Sequence, residues 1–254
     1  MYEETILEVN AINKRFGGLE ILKEVSFDVS RGERIGIIGP NGAGKTTFFN
    51  LLTGDLTPTQ GTIAFHGKHI TNEPNYKRTR RGIARTFQKN NLLEKLSIFE
   101  NLLLVLQRKH GIKSTWFKVR NNRSYRALYE EAEALLETWG LHGRRNTKVE
   151  NLSYGEQRQI EIMLGVATDP SVLLLDEPTA GMSQSETDYI VELLKNLPEA
   201  LTLMIIEHDL DVIFGLSDRM LVLYNGHVLA DDTPEAIRDN QQVNEIYMGK
   251  ARVV

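Results

Sequence analysis

"RIGIIGPNGAGKTTFFNLLTG", residues 34–54, passes from an apolar run through a glycine-rich turn into a helical run. The run "RIGII" is nearly all apolar, as a strand covered on both faces must be. Residues 39–47, "GPNGAGKTT", fit G-x-x-x-x-G-K-[ST] in the strand–loop–helix setting that makes this motif meaningful. The glycines let successive backbone N–H groups of Gly39, Pro40–Ala43 and Gly44 turn inward around phosphate oxygens, Pro40 itself lacking the donor. The helix start at Thr46 and Thr47 adds its partial positive charge. Lys45 is placed to reach the β- and γ-phosphates of a nucleoside triphosphate, and Thr46 to offer its hydroxyl to Mg²⁺.

Similar short apolar runs recur outward from this point. "VLLLD" (172–176) and "LMIIEH" (203–208) each end at a polar residue where a helix can follow, which is the pattern of buried parallel strands in an α/β sheet. "ILEVNAI" (6–12) and "VSFDVS" (25–30) alternate apolar and polar residues, as half-buried antiparallel strands do. Between about 89 and 168 the strand signal vanishes. "SIFENLLLVLQ" (97–107) and "YRALYEEAEALLETWGL" (125–141) have helical composition and period, and the basic stretch "QRKHGIKSTWFKVRNNRS" joining them is irregular. The tail from Thr233 reads as two short helices, the first capped by Thr233 with Pro234 at its first position. The expected organisation is α/β: a core over about 1–88 and 169–232, a helical subdomain over about 89–168, and C-terminal helices over about 233–254.

With 254 residues, 41% of them hydrophobic and 25% charged, the chain has ample material for one large globular unit. A net charge of −4 argues against nucleic acid as a main partner, and the local basic run "YKRTRRGIAR" (76–85) reads as a solvated face. The absence of cysteine excludes disulfides and thiolate metal sites. The acidic start "MYEETILEVN" is no secretory signal, and no apolar run is long enough to cross a bilayer, so membrane association is expected only through a partner.

Two further stretches bear chemistry. In "VLLLDEP" (172–178), Asp176 stands at a strand end, where it can hold Mg²⁺ through water opposite Thr46. Glu177 is the better placed to orient or deprotonate an attacking water. An Asp-Glu pair alone would read as a solvated turn; a phosphate cradle in the same chain changes that. In "NLSYGEQRQIEIMLGVA" (151–167), Ser153 is a helix N-cap and Glu156 its capping-box partner, with Ile160, Leu164 and Ala167 on an apolar face. An open helix start with a serine hydroxyl and Gly155 is a second anion site. It is suited to a nucleotide bound by another copy.

"GPNGAGKTT", "LSYGEQ", "VLLLDEP" and "IIEHD", in this order, resemble the ATP-binding subunits of ATP-binding-cassette (ABC) transporters over essentially the whole chain. The resemblance implies a P-loop NTPase (RecA-like) core with a mainly parallel sheet, an antiparallel β subdomain and an inserted helical subdomain. It implies ATP and Mg²⁺ as ligands, ATP hydrolysis, and a head-to-tail dimer in which each ATP lies between one P-loop and the partner's Ser153, Gly155 and Glu156 region. It assigns Phe16 to stacking on adenine, Gln88 to Mg²⁺ and the attacking water, and His208 to the γ-phosphate. Alone, these three read as a core phenylalanine, a surface glutamine and a charged turn.

The family form LSGGQ has Tyr154 and Glu156 in place of its first glycine and its glutamine, and Ser183 stands where the family often has Asp. Transmembrane permease subunits are the implied partners on the cytoplasmic face of a bacterial or archaeal membrane. They would dock near Gln88, Leu92, Leu93 and Phe99, of which the last three read equally well as helical-subdomain core. "GIARTFQ", "LSIFENLLL", "AGMSQSET", "IIEHDLDVI" and "EIYMGK" are most similar to ATPase subunits of branched-chain amino-acid importers, with urea importers and lipopolysaccharide exporters as near relatives. A soluble two-cassette ATPase would show a second cassette and a basic face, and a simple P-loop kinase would leave Ser153, Gly155 and His208 without a task.

Overall fold

The computed structural model describes residues 4–86, 92–112 and 123–248. The chain runs through strands β1 (Thr5–Phe16), β2 (Leu19–Ser30) and β3 (Arg34–Ile38), then helix α1 (Lys45–Thr53), β4 (Gln60–Phe65), β5 (Lys68–His69), α2 (Asn75–Arg81) and β6 (Ile83–Arg85). Helices α3 (Ile98–Lys109), α4 (Arg123–Thr138) and α5 (Tyr154–Ala167) follow. The chain then returns through β7 (Val172–Asp176), α6 (Gln184–Lys195), β8 (Thr202–Ile206), α7 (Leu210–Leu216), β9 (Arg219–Tyr224), β10 (His227–Asp232), α8 (Pro234–Asp239) and α9 (Gln241–Met248). Two compact units result: Met1–Arg85 with Ser171–Val254, and Thr86–Pro170.

The first unit holds two sheets. One is antiparallel, in the order β2-β1-β4-β5; the other runs β10-β9-β3-β8-β7-β6. In the second sheet β9, β3, β8, β7 and β6 pair in parallel and only β10 is antiparallel. The apolar runs had announced β3, β7 and β8, and alternation had announced β1 and β2. The hairpin β9–β10 was not named in advance, although Asn225 and Gly226, at φ 49° and 84°, make the two-residue turn that Asn-Gly favours.

Alternation along β3 divides the core. Ile35 and Ile37 join α1 and the antiparallel sheet, where Phe27 and Phe48 meet edge to face at 5.3 Å. Ile38 faces the other way, into a cluster with Ile213, Val222, Ile237 and Val243 that seats α7, α8 and α9. In the second unit Ile98, Leu102 and Leu106 of α3, Leu128, Ala132 and Leu136 of α4, and Ile160, Met163 and Ala167 of α5 form a separate core. Their spacings of three and four residues are those of apolar helix stripes. Among the described residues no helix is long and apolar enough to cross a membrane.

The basic run 76–85 is not simply a solvated face. Arg78 is among the largest fully buried side chains, and its guanidinium donates to the carbonyls of Leu51 (2.6 Å), Leu52 (3.0 Å), Thr71 (2.8 Å) and Glu73 (2.9 Å). Leu51 and Leu52 lie in the last turn of α1, whose carbonyls lack helical partners, so a fixed cation there answers both the open acceptors and the helix dipole. Burial draws the Arg78 pKa down to about 10, which still leaves it charged at neutral pH. We expect Arg78→Met, which strips these carbonyls of a charged donor, to cost about 3 kcal/mol in urea unfolding. Lysine at this position recovers only part of that, because it lacks the planar fork.

Candidate functional site

The turn after β3 is shaped by its glycines. Gly42 and Gly44 have φ of 82° and 102°, and at Gly44 a Cβ would meet Leu22 Cδ2 at 2.6 Å. A side chain there would be strained twice over, by backbone and by contact. Lys45, the first residue of α1, is buried, and its ammonium donates to the carbonyls of Gly39 (2.6 Å) and Pro40 (3.3 Å). The lysine thus curls over the turn it follows. Asn41, Gly42 and Thr46 are exposed and Thr47 half-buried, while Ala43 packs into the core.

Asp176 and Glu177 leave the neighbouring parallel strands at the same edge. β3 pairs with β8 and β8 with β7, with Asp176 level with Ile206, so the chain ends of three adjacent strands present residues 39, 177 and 207–208 together. This carboxyl edge is where open α/β sheets bind ligands. Glu177 Oε1 and His208 Nε2 lie 3.0 Å apart, with the histidine side chain half exposed. Glu177 has a left-handed φ of 48°, a conformation that persists in a non-glycine residue only where its surroundings hold it.

Asp176 is almost wholly buried and its Oδ2 accepts from Arg85 Nη2 at 2.6 Å. Arg85 also donates through Nη1 to Asn50 Oδ1 of α1 at 2.5 Å, and its guanidinium lies 5.5 Å from the Phe49 ring centroid. Local sequence does not single out this arginine, because the surrounding basic run masks it. The available signal was a cation ending the otherwise apolar "GIA" run of a short strand. Nor does it single out Tyr247 of α9. Burial pushes its phenol up to about 12, an effect that the Gly39 backbone opposes in part.

Phe16 ends β1 and is 47% exposed, so it is not a core phenylalanine; Lys14 Nζ lies 5.0 Å from its ring centroid. In the second unit, Ser153 caps α5 and Glu156 completes the capping box, with Ser153 N–H donating to Glu156 Oε2 at 2.9 Å. The other Glu156 oxygen pairs with Arg144. The acid in place of the family glutamine is therefore occupied within its own helix start. Ser153 and Tyr154 are exposed. Ser183, in place of the family aspartate, is itself the N-cap of α6, with Glu186 returning to its amide at 3.0 Å.

The proposed docking residues divide. Leu92 is buried in the helical core and cannot meet a partner, which corrects its placement among them; Phe99 is partly buried against that core and beside Tyr129; Leu93 is 51% exposed. Gln88 lies outside the described residues.

A hard cation with phosphate ligands suits this donor set. Among the described residues no three His, Asp or Glu side chains gather as a metal cluster, and Mg²⁺ is usually held by one or two carboxylates, phosphates and waters. Asp176 with the exposed Thr46 hydroxyl meets that description.

Comparison with known proteins then defines the class. Residues 22–180 match the ABC transporter family model, and the chain belongs to that family. It is 40% identical over 253 residues to the high-affinity branched-chain amino acid transport ATP-binding protein LivG of Escherichia coli, covering 98% of this chain and 99% of that protein. BraF of Pseudomonas aeruginosa, named for the same transport, is 41% identical over 252 residues, 97% and 98% of the two chains. The fold matches a crystal structure of the ADP conformation of an ATP-binding cassette of an ABC transporter, with a TM-score of 0.83 and 31% identity over 96% of this chain and 99% of that one. It also matches a dimeric cassette in a post-hydrolysis state bound to ADP and Pi, with a TM-score of 0.73 and 27% identity over 90% and 99% of the two chains.

Breaking the Arg85–Asp176 pair from one side leaves a buried charge. We expect Arg85→Met to lower stability by about 3–5 kcal/mol, and Asp176→Asn on that background to restore part of it, both read from denaturant midpoints.

Proposed function

We propose that the protein is the ATP-hydrolysing subunit of an ABC importer for branched-chain or other hydrophobic amino acids. It would work peripherally on the cytoplasmic face of the membrane through permease subunits. The observation that carries the ATPase reading is the convergence of the Lys45 turn, Glu177 and His208 at the carboxyl edge of β3, β7 and β8. The cargo reading is supported by the names of relatives that match the chain almost end to end.

In this reading the backbone N–H groups of 39–47 and the Lys45 ammonium hold the β- and γ-phosphates, and Phe16 stacks on adenine. Thr46, Asp176 and Gln88 would hold Mg²⁺, which would supply charge neutralisation for the phosphoryl oxygens. Glu177 accepts hydrogen bonding from the attacking water and takes its proton as the water oxygen bonds to the γ-phosphorus and the β–γ bridging bond breaks. His208 contacts the γ-phosphate while holding the Glu177 carboxylate. Ser153 and Gly155 of a second cassette close on the same γ-phosphate, with Glu156 and Arg144 stiffening that helix start. Loss of the γ-phosphate removes the bridge between the two cassettes and lets them part. The exposed Leu93 edge is where a permease segment docks.

Glu177→Gln should bind ATP, hydrolyse it at least about 100-fold more slowly, and elute as a dimer with saturating ATP and Mg²⁺. A variant that stays monomeric under those conditions removes the two-cassette model. Ser153→Arg should abolish turnover while nucleotide binding to the monomer persists, measured with a fluorescent ATP analogue; loss of both would assign Ser153 to folding alone.

A further inference from the structure

We propose that Glu207 is a positioning residue that holds Glu177 and His208 in register by gripping both of their chain segments with one buried carboxylate. Glu207 follows β8 as Glu177 follows β7, and the parallel register that sets Asp176 level with Ile206 brings the two glutamates side by side. Their environments separate them. Glu177 keeps a partly exposed side chain that meets the His208 ring, whereas Glu207 is only 4% exposed and points inward.

The donors to the Glu207 carboxylate come from the two segments that carry Glu177 and His208. Oε1 accepts from the backbone N–H of Thr179 at 2.8 Å and from its hydroxyl at 2.6 Å, and Thr179 is itself buried. Oε2 accepts from the backbone N–H of His208 at 3.0 Å. Two residues before Thr179, the chain makes its left-handed step at Glu177, whose N–H is held by Ile206 O at 2.8 Å. A strained step fastened on both sides keeps its side chain aimed, and Glu207 supplies the fastening on the downstream side. The same carboxylate fixes the backbone from which the His208 ring projects. The 3.0 Å contact between Glu177 and His208 is therefore set from beneath by a third residue that is itself buried.

Glutamine tests this closely, because a carboxylate accepts at both oxygens whereas an amide accepts at one and donates at the other. Glu207→Gln must set an NH₂ against either the Thr179 or the His208 donors. The inference rests on the hydrolytic roles given to Glu177 and His208, so Glu177→Gln and His208→Ala are measured beside it. Steady-state ATP hydrolysis and fluorescent-nucleotide binding on the full chain are the readouts. Glu207→Gln should lower kcat by about 10- to 100-fold, the scale of a small misplacement of catalytic groups, with nucleotide Kd unchanged within about twofold. Thr179→Val, which removes one grip of three, should lower kcat by about threefold with Kd held. Glu207→Gln combined with His208→Ala should lose less than the product of the two single losses.

Parental kcat in Glu207→Gln, a Kd that rises as far as kcat falls, or fully multiplicative losses overturn the inference. If Glu207→Gln does not fold, Thr179→Val decides, and parental kcat there overturns it. Parental turnover in Glu177→Gln and His208→Ala would remove the hydrolytic reading and this inference with it. Lost turnover in those two beside parental turnover in Glu207→Gln would remove this inference alone.

Discussion

Parallel pairing of β3, β8 and β7 is the constraint on which the candidate site depends. In a parallel sheet, strands entering from the same side also leave at the same side, so the residues that follow them share one edge. Here that rule gathers the phosphate turn after Ile38, the pair Asp176–Glu177 and the pair Glu207–His208, which are separated by more than a hundred residues of chain between the first group and the second. The strands need only be apolar to be buried. Chemistry is carried by the residue or two after each of them, where the chain comes out of the core.

Three buried charges stabilise this arrangement from inside the first unit, and each is held by partners rather than left alone. Arg78 closes the C-terminal end of α1, while Lys45 folds over the turn at its start. Arg85 links the middle of the same helix, through Asn50, to Asp176. Both ends and the middle of α1 are thus fastened by cations. Unpaired, any of them would be costly to bury; paired, they fix orientation where a purely apolar contact would allow sliding.

The departures from the family pattern have local explanations. Ser183 starts α6 together with Glu186, whose Oε2 accepts from both the Ser183 amide and its hydroxyl, a donation that an aspartate carboxylate could not make. Glu156 is consistent with an anion-facing helix start because its charge is shared between the Ser153 amide and Arg144. The buried position of Leu92 and the exposed one of Leu93 illustrate the limit of reading adjacent leucines from composition. Both are apolar, and only the packing of the helical core says which one is left over.

Local pattern alone determined the glycine-rich turn after β3, the parallel strands β3, β7 and β8, the capping box at Ser153 and the helical character of the second unit. Each depends on residues close together in sequence: glycines that permit a turn, a serine and glutamate three apart, leucines at helical period. Tertiary structure decided which charges are buried. Arg78 and Arg85 stand in one basic run with exposed neighbours, and Glu207 lies in a polar tripeptide that reads as a surface turn. Burial of a charge depends on partners supplied by other elements, here carbonyls of α1, the end of β7 and the segment around Thr179, and those partners are distant in sequence. Local pattern cannot reveal them, because the interaction that makes each burial tolerable exists only once the sheet has formed.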